Sequence, residues 1–197
     1  MYILNLGAGK LEPLNIVSGR NFIVNLDQSY FTGLPPADIE SYMRGHKKRG
    51  ETNDVTVHCK ADAFEFMERT RLQFDRVVMY RFLEHIPFDK VLYFIYLVST
   101  VLKQGGRVDV IVPDYKILAS MLIAEDDILY HPSFDAHNII LTTELLNEPG
   151  CPHASIWTPR RMDKFWELEN RFRVIQTLSP YKFDGRRIYL RSIIERK

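Results

Sequence analysis

Five short stretches of the chain combine residue types that could do chemistry, and each goes with a strand-like run. The first is "YILNLGAGK", where an apolar run from Tyr2 to Leu6 breaks into Gly7-Ala8-Gly9. Glycines at such a break let backbone approach a ligand that a side chain would keep away. The pattern does not fit a phosphate cradle. A dinucleotide fingerprint needs a third glycine where Glu12 stands, and a Walker loop needs G-K-[ST] where the chain reads Gly9-Lys10-Leu11. Asp27 closes the second run, at the distance where an acid can accept both hydroxyls of a ribose. Asp62 and Ala63 follow the third run in "KADAF". Arg81, Glu84 and His85 follow the fourth in "YRFLEHI", and the fifth is announced by "LKQGGRVDVIVPD". One such glycine is usually only a tight connection, and one such aspartate only a helix cap. Five signals in order, each at the carboxyl end of a successive strand, mark the edge where open α/β sheets bind ligands.

The elements that position these residues can be read from periodicity. Runs rich in β-branched and aromatic residues predict strands at 2–6, 22–26, 55–58, 74–79, 107–112, 172–178 and 187–194. Helices are predicted at 63–70, at 88–102 and from Thr158-Pro159 to about Asn170. In the second of these, Val91, Leu92, Ile95, Val98, Val101 and Leu102 form one stripe. Gly105-Gly106 would end that helix, and Thr158 would cap the last one with Pro159 at its first position. Alternating strands and helices predict an α/β, Rossmann-like three-layer sandwich with a mostly parallel sheet. The last two strands, separated only by "SPYKFDG", predict an antiparallel hairpin at one edge. No linker or repeat divides residues 1–197, so one domain is expected. Two segments exceed ordinary loop length, residues 28–54 and 114–157, and both leave from the ligand-binding edge.

Composition excludes several classes. Twenty-six Lys and Arg face 25 Asp and Glu, a formal net charge of +1, so no bulk charge favours nucleic acid or an anionic membrane. Two cysteines, Cys59 and Cys151, form neither a disulfide framework nor a C-x-x-C pair. No apolar run reaches membrane-spanning length, and the N-terminus lacks a signal-peptide pattern. The expectation is a soluble, cytoplasmic protein.

On "LNLGAGK", "VNLDQS", "KADAF", "FDRVVMYRFLEHI" and "VLKQGGRVDVIVPD", the chain resembles the class I S-adenosylmethionine-dependent methyltransferases, in particular the small type 11 proteins. The resemblance covers nearly the whole chain and implies a seven-stranded sheet of order 3-2-1-4-5-7-6. It implies S-adenosyl-L-methionine as cofactor, a nucleoside without phosphate, which agrees with Glu12 near the turn. Asn5, Leu6, Gly7, Ala8 and Gly9 would line the methionine half. Asp27 would hold the ribose diol, Asp62 and Ala63 would meet the adenine edge, and Arg81 would lie near the methionine moiety or the acceptor. The family usually has an acid at the position of Asn5 and often a glycine at that of Lys10.

Methyl transfer to oxygen or nitrogen would need a base, and His85 is the histidine nearest the reaction edge in sequence. His131, His137, His153 and Trp157 lie in or beside the second long segment, where the family builds its acceptor pocket. A small-molecule or glycan-like acceptor is the favoured reading. An RNA or DNA methyltransferase using a basic loop at 44–49, "RGHKKR", is an alternative, although the N/D-P-P-Y/F and Pro-Cys motifs are missing after the fourth strand. A non-catalytic binding or assembly module is another, motivated by Asn5 and Lys10. Some small-RNA methyltransferases use the Glu-His pair as metal ligands with a glutamate three residues before. Here that residue is Arg81, and no metal is expected.

Overall fold

In a computed structural model of the chain, the described residues are 1–7, 21–27, 33–49, 54–123, 154–183 and 185–197. Seven strands form one sheet: β1 (Tyr2–Leu6), β2 (Phe22–Leu26), β3 (Val55–Cys59), β4 (Phe74–Tyr80), β5 (Leu102–Pro113), β6 (Phe172–Phe183) and β7 (Arg186–Arg196). Their spatial order is β3-β2-β1-β4-β5-β7-β6. The first five are mutually parallel. β7 runs antiparallel to β5 and to β6, as the terminal hairpin predicted.

Strand alternation divides the core. Leu4, Leu6, Val24, Leu26, Val77, Met79, Val108 and Val110 face one side. There they meet α2 (Ala63–Arg69), α3 (Phe88–Val101) and α5 (Pro159–Leu168) through Phe66, Phe94, Val98, Phe165 and Trp166. Ile3, Val78, Tyr80 and Ile111 face the other side, with Tyr115 and Leu118 of α4 (Tyr115–Ile123). The period-two pattern with apolar residues on both faces is what an inner parallel sheet requires. α5 begins as predicted, with Thr158 accepting from the Arg161 N–H and Pro159 in the first turn.

Four expectations need correction. Residues 36–49 are a helix, α1 (Pro36–Arg49), so the basic 44–49 stretch is its last turns rather than a loop. Cations at a helix C-terminus are favoured by the macrodipole. The chain reaches α1 through a bridge from Leu34 to Cys59, and buried Ile39 and Met43 anchor the helix. Second, α3 ends at Val101, and Gly105-Gly106 lies inside β5. Between the pairs Phe74–Leu102 and Arg76–Arg107, β5 carries more residues than β4, and Gly105 at φ +71° turns that bulge. Third, "SPYKFDG" is largely strand, with β6 continuing to Phe183 and Gly185 at φ +90° in the turn. Fourth, the second long segment opens with α4; residues 124–153 lie outside the described set.

A buried ionic cluster joins β4, β5 and β7. Asp109, 2% exposed, accepts from Arg191 at 2.9 Å and 2.7 Å, from Arg76, and from the Tyr80 hydroxyl at 3.1 Å. Burial pushes the Asp109 carboxyl pKa up, but the two guanidiniums outweigh it and hold it below the usual carboxylate range. Burial and the Asp109 charge push the Tyr80 phenol well up.

Candidate functional site

The register of the inner strands decides which residues share an edge. Leu6 pairs with Leu26, Leu26 with Cys59, and Leu6 with Met79, so these four form one row across β1, β2, β3 and β4. The next row outward holds Gly7, Asp27, Lys60 and Tyr80, on strands about 4.8 Å apart. The turn backbone extends the ladder into this row. Gly7 N–H donates to Leu26 O at 3.0 Å, and Asp27 N–H donates to Cys59 O at 3.2 Å. Gly7 and Asp27 are therefore neighbours at the carboxyl edge, with Asp27 half-buried.

Gly7 is held there by two independent constraints. Its φ is +65°, a conformation that costs any residue with a Cβ, and a Cβ would lie 2.4 Å from Phe82 Cδ2. Phe82 belongs to the turn after β4, so the turns after β1 and β4 are packed directly on each other. Asn5, 5% exposed, points to the α4 side of the sheet and donates through Nδ2 to Asn25 Oδ1 at 2.9 Å. Leu6 is fully buried, so only its backbone is available to a ligand.

After β3, Asp62 caps α2, with Oδ1 accepting from Phe64 N–H at 2.9 Å and Glu65 N–H at 3.1 Å. The Ala63 side chain is buried in the core. After β4, Arg81 is exposed at φ +51°, the non-glycine residue with positive φ among those described. Its N–H donates to Ile111 O at 2.7 Å, which ties the strained residue to β5. His85 lies in a 3₁₀ turn, Leu83–His85, and is half-buried beside fully buried Glu84.

Residues 154–157 clamp this turn. The Ala154 and Ser155 N–H groups both donate to Glu84 O, at 2.7 Å and 2.9 Å, and Ser155 Oγ donates to Leu83 O at 3.0 Å. Tyr115 N–H donates to Trp157 O, bringing the start of α4 to the same place. Burial, and then the nearby Glu84 charge, push the Tyr115 phenol up to about 12. Asp114 is fully buried at the end of β5, accepting from Lys116 N–H at 2.9 Å and from the Ser179 hydroxyl.

The edge thus assembles Gly7, Asp27, Asp62, Arg81 and His85 from four separate turns. Trp157 is a correction to the acceptor set: it is fully buried, donates Nε1–H to Ser155 Oγ at 2.9 Å, and stands edge-on to Phe165 at 5.3 Å. A ring closed on all sides belongs to the core. Ala8, Gly9, His131, His137 and His153 lie outside the described residues. Sequence reading passed over Tyr115, Ser155 and Phe82; of these, only Tyr115, directly after a strand-end aspartate, carried a local signal. Among the described residues, no three His, Cys, Asp or Glu side chains group as a metal set. No described helix is long and apolar enough to cross a membrane.

No family model and no curated protein matches the chain by sequence. By structure it is similar to a S-adenosylmethionine-dependent methyltransferase from Methanosarcina mazei, with 17% identity, a TM-score of 0.57, and coverage of 100% of this chain and 92% of that one. It is similar to a Burkholderia thailandensis 1,6-didemethyltoxoflavin N1-methyltransferase with bound 1,6-didemethyltoxoflavin and S-adenosylhomocysteine, with 13% identity, a TM-score of 0.54, and coverage of 99% and 70%. A small RNA methyltransferase matches at 13% identity and a TM-score of 0.59, this chain covering 23% of its length. Together with the strand order and the antiparallel β7, these likenesses show that the chain has the class I S-adenosylmethionine-dependent methyltransferase fold.

Proposed function

We propose that the protein is a S-adenosylmethionine-dependent methyltransferase acting on a small-molecule or glycan-like acceptor, at oxygen or nitrogen. The observation that carries this reading is the adjacency of Gly7 and Asp27 on neighbouring strand ends. The residues present fit the cofactor. Phe82 fills the space a Cβ on Gly7 would take, so the turn after β1 presents main chain and no side chain at the edge. Asp27 offers a carboxylate to a ribose diol. Ala63, whose methyl is buried, would contribute its N–H, which takes no part in the Asp62 capping bonds. The cofactor, when bound, supplies an electrophilic methyl group on sulfur.

The chain's own work would then be positioning, exclusion of water and proton removal. Arg81, held exposed by a strained backbone beside the turn, would orient an anionic group of cofactor or acceptor. His85 is the proposed base for an acceptor hydroxyl or N–H. Fully buried Glu84 adjoins His85 in the same 3₁₀ turn, and its charge lies near the Tyr115 phenol. Small-molecule acceptors are preferred over nucleic acid because the 44–49 stretch continues α1, where Arg44 pairs with Glu40 at 2.8 Å.

Isothermal titration with S-adenosylmethionine and S-adenosylhomocysteine tests the proposal. Both are expected to bind, and Asp27→Ala is expected to weaken both at least tenfold with unchanged thermal unfolding. Absence of binding at millimolar cofactor would overturn the reading and leave a non-catalytic module with this fold.

A further inference from the structure

A second surface, on the side of the sheet covered by α3 and α5, has the character of a docking site. α3 is apolar on its buried face, yet its solvent face also carries a stripe. Phe88, Leu92 and Tyr96 recur at every fourth residue and are 46%, 54% and 42% exposed. They span about 12 Å of helix. Where the stripe begins, Phe88 meets α5 in an open groove of about 330 Å³, floored by Phe88, Phe165 and Leu168, the last 74% exposed. Its rim is basic, with Arg160, Arg161 and Lys164. Arg161 lies over the Phe88 ring at 4.1 Å, and Arg171 lies over Tyr96 at 4.9 Å, so cations flank the stripe at both ends.

The charges on α5 run against the helix's own field. Its first turn contains no acid but does contain Arg160 and Arg161, where the macrodipole favours negative charge. Of its two acids, Asp163 is turned elsewhere, accepting from Thr177 on β6 at 2.6 Å, and exposed Glu167 lies in the last turn, outside the groove lining. Among the described residues, Arg160, Arg161 and Lys164 make no ion pair. A concave apolar floor, cations along one rim and a regular apolar stripe on the opposite helix match one kind of occupant.

We propose that the α3–α5 groove binds a partner protein through an acidic amphipathic helix, its apolar residues on Phe88, Leu92 and Leu168 and its carboxylates against Arg160, Arg161 and Lys164. The geometry is that of a helix lying in a groove between two helices. A second copy of this chain is disfavoured because a two-fold contact would set the cationic rim against itself. The concave shape favours a helix over a flat bilayer.

The test uses three fluorescein-labelled 16-residue helical peptides with leucine at every fourth position and flanking glutamate, glutamine or lysine, read by fluorescence anisotropy. The glutamate peptide is expected to bind at least tenfold more tightly than the lysine peptide, with glutamine between. The double charge reversal Arg161→Glu with Lys164→Glu should invert that order, and Leu92→Asp should weaken the glutamate peptide at least tenfold. Should Leu92→Asp not fold, Leu168→Asp, at a still more exposed position, serves the same purpose. The proposal is overturned if the glutamate peptide does not bind at millimolar concentration or the three peptides bind alike. It is equally overturned if sedimentation shows a dimer that Leu92→Asp dissolves, or if phosphatidylglycerol vesicles bind without competition from the glutamate peptide. Cofactor titration is independent of every arm.

Discussion

Replacing Arg81 with glycine should separate fold from function. At φ +51°, Arg81 occupies the left-handed region, which costs a residue with a Cβ about 1–2 kcal/mol. Glycine removes that cost, but the freer unfolded chain returns about 0.5–1 kcal/mol. Arg81→Gly should therefore be more stable than the parent by about 0.5 kcal/mol. For a domain of this size that corresponds to a rise in Tm of about 1–2 °C. Arg81→Ala keeps the strained backbone and gains nothing, so glycine should exceed alanine by about 0.5 kcal/mol as well. The backbone donation to Ile111 O survives in both variants. Urea unfolding measures the stabilities, and titration with S-adenosylhomocysteine and acceptor turnover measure function. Both variants should lose affinity or turnover while only the glycine variant gains stability. Equal stabilities for glycine and alanine would refute the strain reasoning. A glycine variant destabilised by more than about 1 kcal/mol would mean that the side chain holds the fold, and one with parental binding and turnover would remove Arg81 from the site.

Gly7→Ala should cost at least about 2 kcal/mol, from the left-handed φ and the clash with Phe82 together. In a Phe82→Ala background the cost should shrink, and an unchanged cost in a double-mutant cycle would refute the contact. Asp109→Asn should destabilise by about 3–5 kcal/mol near neutral pH, because it strips Arg76 and Arg191 of their buried counter-charge. The native Asp109 pKa lies below its unfolded value, so this contribution is complete above about pH 5. It is lost as pH falls through the depressed native pKa, and urea unfolding from pH 7 to 3 should show the two proteins converging. Trp157→Ala should cost about 3–5 kcal/mol, whereas Trp157→Phe should leave the steady-state KM for acceptor unchanged. A raised KM in Trp157→Phe would return that ring to the acceptor pocket.

The strands were legible because the inner ones hold runs of buried β-branched and apolar residues, with Gly7 closing β1 and Asp27 closing β2. α1 was not, because among its described side chains only Ile39 and Met43 are buried hydrophobics and the charges of "PADIESYMRGHKKR" imitate a loop. α4, "YKILASMLI", is short and mostly apolar, broken only by Lys116 and Ser120, so periodicity cannot tell it from a strand. Gly105-Gly106 follows a helical stripe and imitates a cap, yet the pairing of β4 with β5 takes over at Leu102. Gly7 and Asp27 were legible from strand ends alone. Phe82 over Gly7 and Ser155 beneath Leu83 join positions some seventy residues apart, and no local pattern carries such a pairing.

The antiparallel β7 also settles where the chain can be held. Glu195 shares its row, through Arg107 and Arg76, with Ile3 at the entry of β1. The Lys197 N–H donates to Arg171 O and the Met1 carbonyl accepts from Phe22 N–H. Residues 1 and 197 thus both emerge at the amino edge of the parallel strands, a strand's length from Gly7 and Asp27. A fusion partner, surface tether or fluorophore joined at either one departs from the rim opposite the turns. Tethering the protein to a sensor through residue 1 or 197 should leave cofactor titration unaltered, while a label at position 27 or 81 should not.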